Sequence, residues 1–143
     1  MGYHYLEDVA TADIAFEATG ETVEQVFVAA AEATMNVMVE ELRSIEGRVE
    51  KRIELENRDL DMLLFDLLQE LVYYKDAQQL LLRVREIAIA ERDGTYLLSA
   101  RAAGEKLDPE RHEQRADVKA VTLHQFTLQK TDALWKALVI LDI

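Results

Sequence analysis

The hydrophobic pattern of the first forty residues changes its period once. Apolar and polar residues alternate over residues 13–18, which predicts a strand with one buried face. Gly20 ends the alternation, and Thr22 with Gln25 forms a capping box for a helix. Beyond this cap, apolar residues recur at helical spacing on one face, at Val23, Val26, Phe27, Ala30, Thr34, Val37, Met38 and Leu42. The pattern predicts a strand followed by a long amphipathic helix.

A second strand and helix are predicted next along the chain. Residues 48–56 alternate, with three apolar residues and Lys51 facing one way and four charged residues facing the other. One apolar face and one charged face indicate an antiparallel sheet that is covered on a single side. Asp59 is a candidate N-cap for the second helix. Its leucines form a nearly continuous stripe, at Leu60, Leu63, Leu64, Leu67, Leu68 and Leu71.

The remaining residues predict mainly strands. Residues 80–91 and the segment TYLLSARA after Asp93-Gly94 predict a β-hairpin, with a bulge where the apolar parity shifts near Arg85-Glu86. The charged residues 101–117 predict a surface excursion with a turn of helix. Two last strands are expected in VKAVTLHQFTL and ALWKALVILDI, joined around Lys130-Thr131-Asp132.

These elements predict an α+β fold, a two-layer sandwich of a mostly antiparallel sheet with two long amphipathic helices. No repeat or linker divides the 143 residues, so we expect a single domain over 1–143. The absence of cysteine excludes a disulfide scaffold, a zinc–thiolate site and a thiol nucleophile, and it fits a reducing compartment. No secretory signal and no apolar stretch of membrane-spanning length are visible. We therefore expect a cytoplasmic protein without membrane association.

The chain is strongly acidic. It has 28 Asp and Glu against 16 Lys and Arg, a formal net charge of −12. Such a surface repels a phosphate backbone, and no cluster of basic residues offsets this, so we expect no strong direct nucleic-acid binding. A basic protein partner or a hard cation suits the charge, and an acidic surface kept for solubility explains it equally well.

Carboxylates lie at the ends of two predicted strands. Asp13, with Asp8 shortly before it, starts the first strand, and Asp142 precedes Ile143 in the last. Taken singly, each acid is explained by a turn, a cap or an exposed strand end. If the two strands are neighbours, Asp13, Asp142 and the carboxylate of Ile143 converge, and such a cluster needs a cation or protons. Oxygen ligands alone indicate calcium or magnesium, with waters, carbonyls or a partner completing the shell.

One lysine and two histidines are further candidates. Lys119 lies among strand residues, where pairing with an acid is its simplest role, and the functional alternative places it beside the carboxylates or facing a phosphate-bearing partner. His112 lies in the charged segment, and His124 shares the parity of apolar strand residues, which indicates a hydrogen-bonded core residue. No phosphate-binding Gly-rich loop, G-x-S-x-G elbow or helical His-Glu-x-x-His motif indicates a specific enzyme.

Three segments, in order across nearly the whole chain, resemble the archease family: TADIAFEATGETVEQVFVAAAEATMNVM, GEKLD…RHEQRADVKAVTLHQF and WKALVILDI. The chain has Ala10 where that family often has histidine, and Leu123 where it often has an aromatic residue. The resemblance implies a non-enzymatic protein cofactor of the tRNA-splicing RNA ligase. Such a cofactor promotes guanylylation of the ligase, allows multiple turnover and broadens the nucleotides that the ligase accepts.

The resemblance also implies the site residues. Calcium would be held by Asp13, Asp142 and Ile143, the last through backbone or terminal oxygens, with Mg²⁺ or Mn²⁺ as alternative cations. Lys119 would act with Asp13 and Asp142 in activating the partner. Two other classes of protein stay open: a general protein-binding or chaperone-like module, and a metal-dependent phosphate-ester hydrolase that uses Asp13, Asp142 and Lys119 directly.

Overall fold

Two antiparallel sheets and two helices make up the fold in a computed structural model, which describes residues 1–6 and 13–143. The strands are β1 (Gly2–Leu6), β2 (Asp13–Gly20), β3 (Val49–Asn57), β4 (Leu80–Arg92), β5 (Thr95–Lys106), β6 (Ala120–Val121), β7 (Thr127–Thr131) and β8 (Leu134–Asp142). The helices are α1 (Val23–Met38) and α2 (Leu60–Gln78), and a short 3₁₀ helix (Leu42–Ser44) follows α1. The predicted α+β sandwich is confirmed.

The larger sheet has the order β1-β2-β8-β6, and β7 pairs with another stretch of β8. Strand β2 pairs with β8 along its whole length, from Asp13 opposite Asp142 to Gly20 opposite Trp135. The smaller sheet has the order β3-β5-β4, and its register shifts between Val84 and Glu86, so the predicted bulge is present. The pairing of β2 with β8 makes neighbours of the strand ends that carry the two candidate acids.

Both helices pack an apolar face against the sheets. Helix α1 begins at the predicted cap, where the Thr22 Oγ1 accepts a hydrogen bond from the Gln25 N–H at 3.1 Å. Helix α2 follows Asp59 as predicted, but the Asp59 side chain makes no capping hydrogen bond, and Gln79 ends the helix in the left-handed conformation. Among the largest fully buried side chains between helices and sheets are Phe16, Phe27, Leu63, Leu67, Leu98 and Leu141.

Two predictions for the second half of the chain are wrong. Residues 101–106 continue β5 instead of starting a surface excursion, because they pair with both β3 and β4. The strand predicted over residues 118–128 is divided into β6 and β7 by a turn, in which Gln125 has a φ of 54° and the Phe126 N–H bonds to the Leu123 carbonyl. His124 lies in this turn and is exposed, so it is not a core residue.

Neither helix in the described part of the chain is long and apolar enough to cross a membrane.

Candidate functional site

Asp13 and Asp142 lie directly opposite each other in the antiparallel pair of β2 and β8. Opposed residues project from the same face of a sheet, with their Cβ atoms about 4.5–5.5 Å apart. The next pair, Ile14 with Leu141, belongs to the other face, where Leu141 is buried in the core and the partly buried Ile14 packs against it. The two carboxylates therefore share the face of the sheet opposite to that of Ile14 and Leu141, at one end of its central strand pair. Asp8 lies outside the described residues.

No ion pair joins either carboxylate to a lysine, arginine or histidine within residues 1–6 and 13–143. Two adjacent carboxylates repel each other unless protons or a cation neutralise them. Like charges directly opposite each other in a strand pair are destabilising, so this end of the sheet is a candidate site for a neutralising ligand.

The peptide of Lys119 joins the same end of β8. Strand β6 pairs with β8 so that Ala120 lies opposite Asp142, and the Lys119 N–H donates to the Asp142 carbonyl at 2.8 Å. Asp13, Lys119 and Asp142, which are far apart in sequence, meet at one end of the sheet. Lys119 makes no ion pair with an acid of the described residues. The expectation that it pairs with a nearby acid therefore finds no support in that part of the chain.

Ile143 follows Asp142 and is half-buried, with its side chain packed against the core. The side chain is apolar and anchors the residue, so only its main-chain oxygens can act as ligands. This position keeps those oxygens next to the Asp142 carboxylate along the chain.

The donors at this end of the sheet are all oxygen atoms, which fits a hard cation. Asp13, Asp142 and Ile143 supply fewer ligands than the roughly six to eight that calcium takes, so water or partner oxygens must complete the shell. No group of three or more His, Cys, Asp or Glu side chains in the described residues could hold a metal ion. Among the described residues, a cation at this place would therefore need the main-chain oxygens of Ile143 as well as the two carboxylates.

Helix α2 contacts the same segment from the side opposite β8. The Gln69 Oε1 accepts a hydrogen bond from the Val121 N–H at 3.2 Å. The Lys75 ammonium donates to the Val118 carbonyl at 3.2 Å and is bonded to the Asp117 carboxylate. The chain on both sides of Lys119 is thereby attached to a helix whose apolar stripe is buried in the core.

An open groove of about 410 Å³ lies between this segment and α2. Lys119 and Ala120 line it from the strand side, and Gln69, Val72, Tyr73, Asp76 and Ala77 line it from the helix. Burial lowers the pKa of Lys75, but the Asp117 and Asp76 carboxylates outweigh that effect and raise the pKa above its ordinary value. Lys75 is consequently charged at neutral pH.

A second cluster of ionisable groups, centred on Glu105, was not predicted from the sequence. The Glu105 carboxylate is 5% exposed and accepts hydrogen bonds from the Glu46 N–H at 2.6 Å and from Arg111. His112 is also buried; its Nδ1 accepts the Asp108 N–H at 2.8 Å, so the ring proton lies on Nε2, 3.1 Å from Glu105. Burial raises the pKa of Glu105, but Arg111 and the hydrogen bonds outweigh it and lower that pKa to about 2.

This Glu105 cluster anchors the segment that leads from β5 to Lys119. The only sequence signal for it was the pair of motifs GEKLD and RHEQR, which carry its residues. His112 thus has a structural explanation, as a buried partner of Glu105.

The chain matches the Archease protein family over residues 3–143. It belongs to the archease family. The archease of Pyrococcus furiosus is 41% identical over 134 residues, which are 93% of this chain and 94% of that protein. The archease of Methanosarcina mazei is 42% identical over 142 residues, 99% of this chain and 95% of that protein.

Solved structures agree with the archease fold. The solution structure of a Methanobacterium thermoautotrophicum protein has a TM-score of 0.85 and 37% identity, and the match covers 99% of both chains. A Thermotoga maritima archease, described as a possible chaperone, has a TM-score of 0.57 and 20% identity, with 98% of both chains covered, and supports the fold alone. The resemblance stated from the sequence is confirmed at the level of the family.

Proposed function

We propose that this archease is a non-enzymatic activator of the tRNA-splicing RNA ligase. In this proposal it promotes guanylylation of the ligase, so that the ligase turns over many times, and it broadens the nucleotides that the ligase accepts. The observation that carries the proposal is the direct pairing of Asp13 with Asp142 beside the peptide of Lys119. Membership of the archease family supports it.

Asp13, Asp142 and the main-chain oxygens of Ile143 would hold Ca²⁺, with Mg²⁺ or Mn²⁺ as the alternatives. A cation bound there neutralises the two carboxylates and offers open coordination positions to oxygens of a partner. Asp13 and Asp142 would present these positions at the end of the sheet, on the face opposite to that of Ile14 and Leu141. Lys119 adds a positive charge at the same end of the sheet, from the groove beside α2, and this charge suits a phosphate group.

We propose that this end of the sheet, with Asp13, Asp142 and Lys119, enters the nucleotide-binding cleft of the ligase. The formal net charge of −12 favours a basic protein surface as the docking partner. The same charge disfavours direct binding of RNA, and an activator of the guanylylation step does not need to bind RNA itself. In this proposal the protein acts in the cytoplasm.

The experiment is a ligation assay under single- and multiple-turnover conditions. It uses the cognate ligase, GTP, a divalent cation and an RNA with a 2′,3′-cyclic phosphate end, with and without this protein. We expect many rounds of ligation with the protein and about one without it. The Asp142→Ala variant should bind no cation and give no stimulation while remaining folded. Full stimulation by that variant, or no stimulation by the wild-type protein, would overturn the proposal.

A chaperone-like role is the second candidate, because the Thermotoga maritima relative carries that description. A general chaperone would suppress aggregation of several unrelated proteins, and substitution of Asp13 or Asp142 would not affect it. Phosphate-ester hydrolysis without any partner, measured on a chromogenic ester in the same buffers, would instead indicate the hydrolase. The ligation assay with the Asp142→Ala variant separates the activator from both.

A further inference from the structure

We infer that helix α2 positions Lys119 for partner activation, and that Lys75 and Gln69 are the residues through which it does so. The inference rests on the proposed function for its activity readout. Its structural part, that α2 holds the peptide of Lys119, is independent of that function.

The Lys75 side chain is held in place by its contacts and is not a freely moving surface charge. The Lys75 ammonium has three N–H donors, and three acceptors surround it. They are the Asp117 carboxylate, the Asp76 carboxylate at 2.6 Å and the Val118 carbonyl at 3.2 Å. Its side chain is only 11% exposed. The Val118 side chain is fully buried, so this lysine fixes the residue immediately before Lys119 against the core.

Gln69 holds the chain on the other side of Lys119. Strand β6 is only two residues long, and β8 bonds to one of its edges. The Val121 N–H points to the opposite edge, where the Gln69 Oε1 accepts it at 3.2 Å. Covering by a helix is one of the ways in which proteins protect the edge of a sheet, and here α2 does so through Gln69.

Lys119 lies between these two attachments. Its own N–H is bonded to the Asp142 carbonyl at 2.8 Å, so the backbone is held by α2 before and after Lys119 and by β8 at Lys119 itself. The side chain lines the groove between β6 and α2 and makes no ion pair with an acid of the described residues. A rigid backbone with an unengaged ammonium is the arrangement expected of a preorganised contact to a partner.

Loss of either attachment should therefore loosen the Lys119 peptide without removing its charge. The carboxylates of Asp13 and Asp142 belong to β2 and β8, which pair independently of α2, so cation binding should persist. A variant of this kind should resemble loss of the Lys119 charge in the ligation assay. It should not resemble substitution of Asp13 or Asp142, which is expected to abolish cation binding as well.

The test combines amide hydrogen exchange, measured by NMR on the free protein, with the ligation assay. Lys75→Met and Gln69→Met remove the attachments, and Gln69→Glu keeps an acceptor for the Val121 N–H. Lys51→Met is the matched control, because the Lys51 ammonium lies 5.8 Å from the Tyr74 ring centre and has no bond to residues 117–121.

We expect Lys75→Met to speed exchange of the Lys119 and Val121 amides about tenfold, while the buried Leu67 amide keeps its rate. The maximal stimulation of the ligase should fall about tenfold, with little change in the protein concentration that gives half of it. Gln69→Met should act in the same direction, whereas Gln69→Glu and Lys51→Met should behave as wild type.

Unchanged exchange at Lys119 in Lys75→Met would overturn the inference, whatever the ligation assay shows. Faster exchange with full stimulation would show that α2 only stabilises the fold, and would also overturn it. A wild-type protein that does not stimulate the ligase would overturn the proposed function and, with it, the positioning role. The exchange data identify which of the two has failed.

Discussion

Asp13 and Asp142 oppose each other across β2 and β8, and no cationic side chain of the described residues pairs with either. In the pair immediately inward, Leu141 belongs to the core and Ile14 packs against it. The protein thus uses the same strand pairing to fill its core on one face and to juxtapose two acids on the other. Like charges that oppose each other directly destabilise a strand pair, and a cation bound between them would offset that cost.

Divalent cations should stabilise the protein through these acids. We expect calcium to raise the melting temperature of the wild-type protein, because a ligand that binds only the folded state shifts the unfolding equilibrium. In EDTA, Asp142→Asn should be more stable than wild type by about 0.5 kcal/mol, since it removes a like-charge cross-strand contact. Calcium should then leave its melting temperature unchanged. Differential scanning calorimetry with EDTA and with calcium measures both effects.

Glu56→Gln is the control for that measurement. Glu56 is exposed on β3, in the other sheet, so this variant carries the same change in net charge without touching the site. It should keep the full calcium response. An equal calcium response in Asp142→Asn and wild type would mean that the two acids do not bind the cation.

Lys119 should matter for activation and not for cation binding. We expect Lys119→Ala to reduce multiple-turnover ligation about tenfold or more, because a charged hydrogen bond to phosphate contributes about 1.5–3 kcal/mol. The calcium-induced rise in melting temperature should be as large as in wild type. Lys130→Ala, which removes an exposed lysine of β7, is the matched control and should retain ligation. Loss of the calcium response in Lys119→Ala would contradict this division of roles.

Periodicity predicted the helices and most long strands because their apolar faces contrast with polar ones. In β2, Ile14 and Phe16 alternate with more polar neighbours, so the buried face is visible in the sequence. Strand β1 was missed because Tyr3 and Tyr5 are amphipathic and alternate with Gly2, His4 and Leu6 without a clear contrast. The tyrosine hydroxyls bond to Asn36 and to the Ala33 carbonyl, which are contacts that no local pattern encodes.

The candidate site could be predicted only as a hypothesis. Alternation indicates which face of a strand is buried, but it does not specify which strands pair or in what register. That Asp13 lies opposite Asp142 is therefore a result of the long-range pairing of β2 with β8. The burial of His112 was equally inaccessible, because its partner Glu105 is hidden within a run of charged residues.

Gly104 should be intolerant of any side chain. It lies in β5, the central strand of the smaller sheet, opposite Val49 on one side and Leu82 on the other. A Cβ built at this position would overlap the Leu81 carbonyl oxygen, which is backbone and cannot move without breaking the pairing. We expect Gly104→Ala to destabilise the protein by about 3 kcal/mol or more, as measured by urea unfolding.

Gly47→Ala is the control for the Gly104 variant, because a Cβ there would lie 3.5 Å from the Ala103 Cβ, an ordinary contact. It should unfold within about 1 kcal/mol of wild type. A Gly104→Ala protein as stable as Gly47→Ala would show that β4 and β5 approach less closely at this point than the structure indicates.

Acid should unfold the protein partly through Glu105. The pKa of its carboxyl is about 2 in the folded state, below an ordinary value of 4.5, so the folded state favours the ionised form. The stabilisation is complete above about pH 4.5 and is lost as the pH falls towards 2, because protonation then weakens the bonds to Arg111 and the Glu46 N–H. Glu105→Gln should be less stable at pH 7 by about 2 kcal/mol.

In the same variant, the free energy of unfolding should fall less steeply between pH 4.5 and 2 than in wild type, since the amide that replaces the Glu105 carboxyl does not titrate there. Glu54→Gln is the matched control, because Glu54 pairs with Arg52 at 3.3 Å while both side chains are about two-thirds exposed, so its removal should change stability little. Unfolding free energies measured in urea at several pH values give both slopes. Parallel curves for wild type and Glu105→Gln would mean that Glu105 is not the group whose protonation weakens the anchor of the segment leading to Lys119.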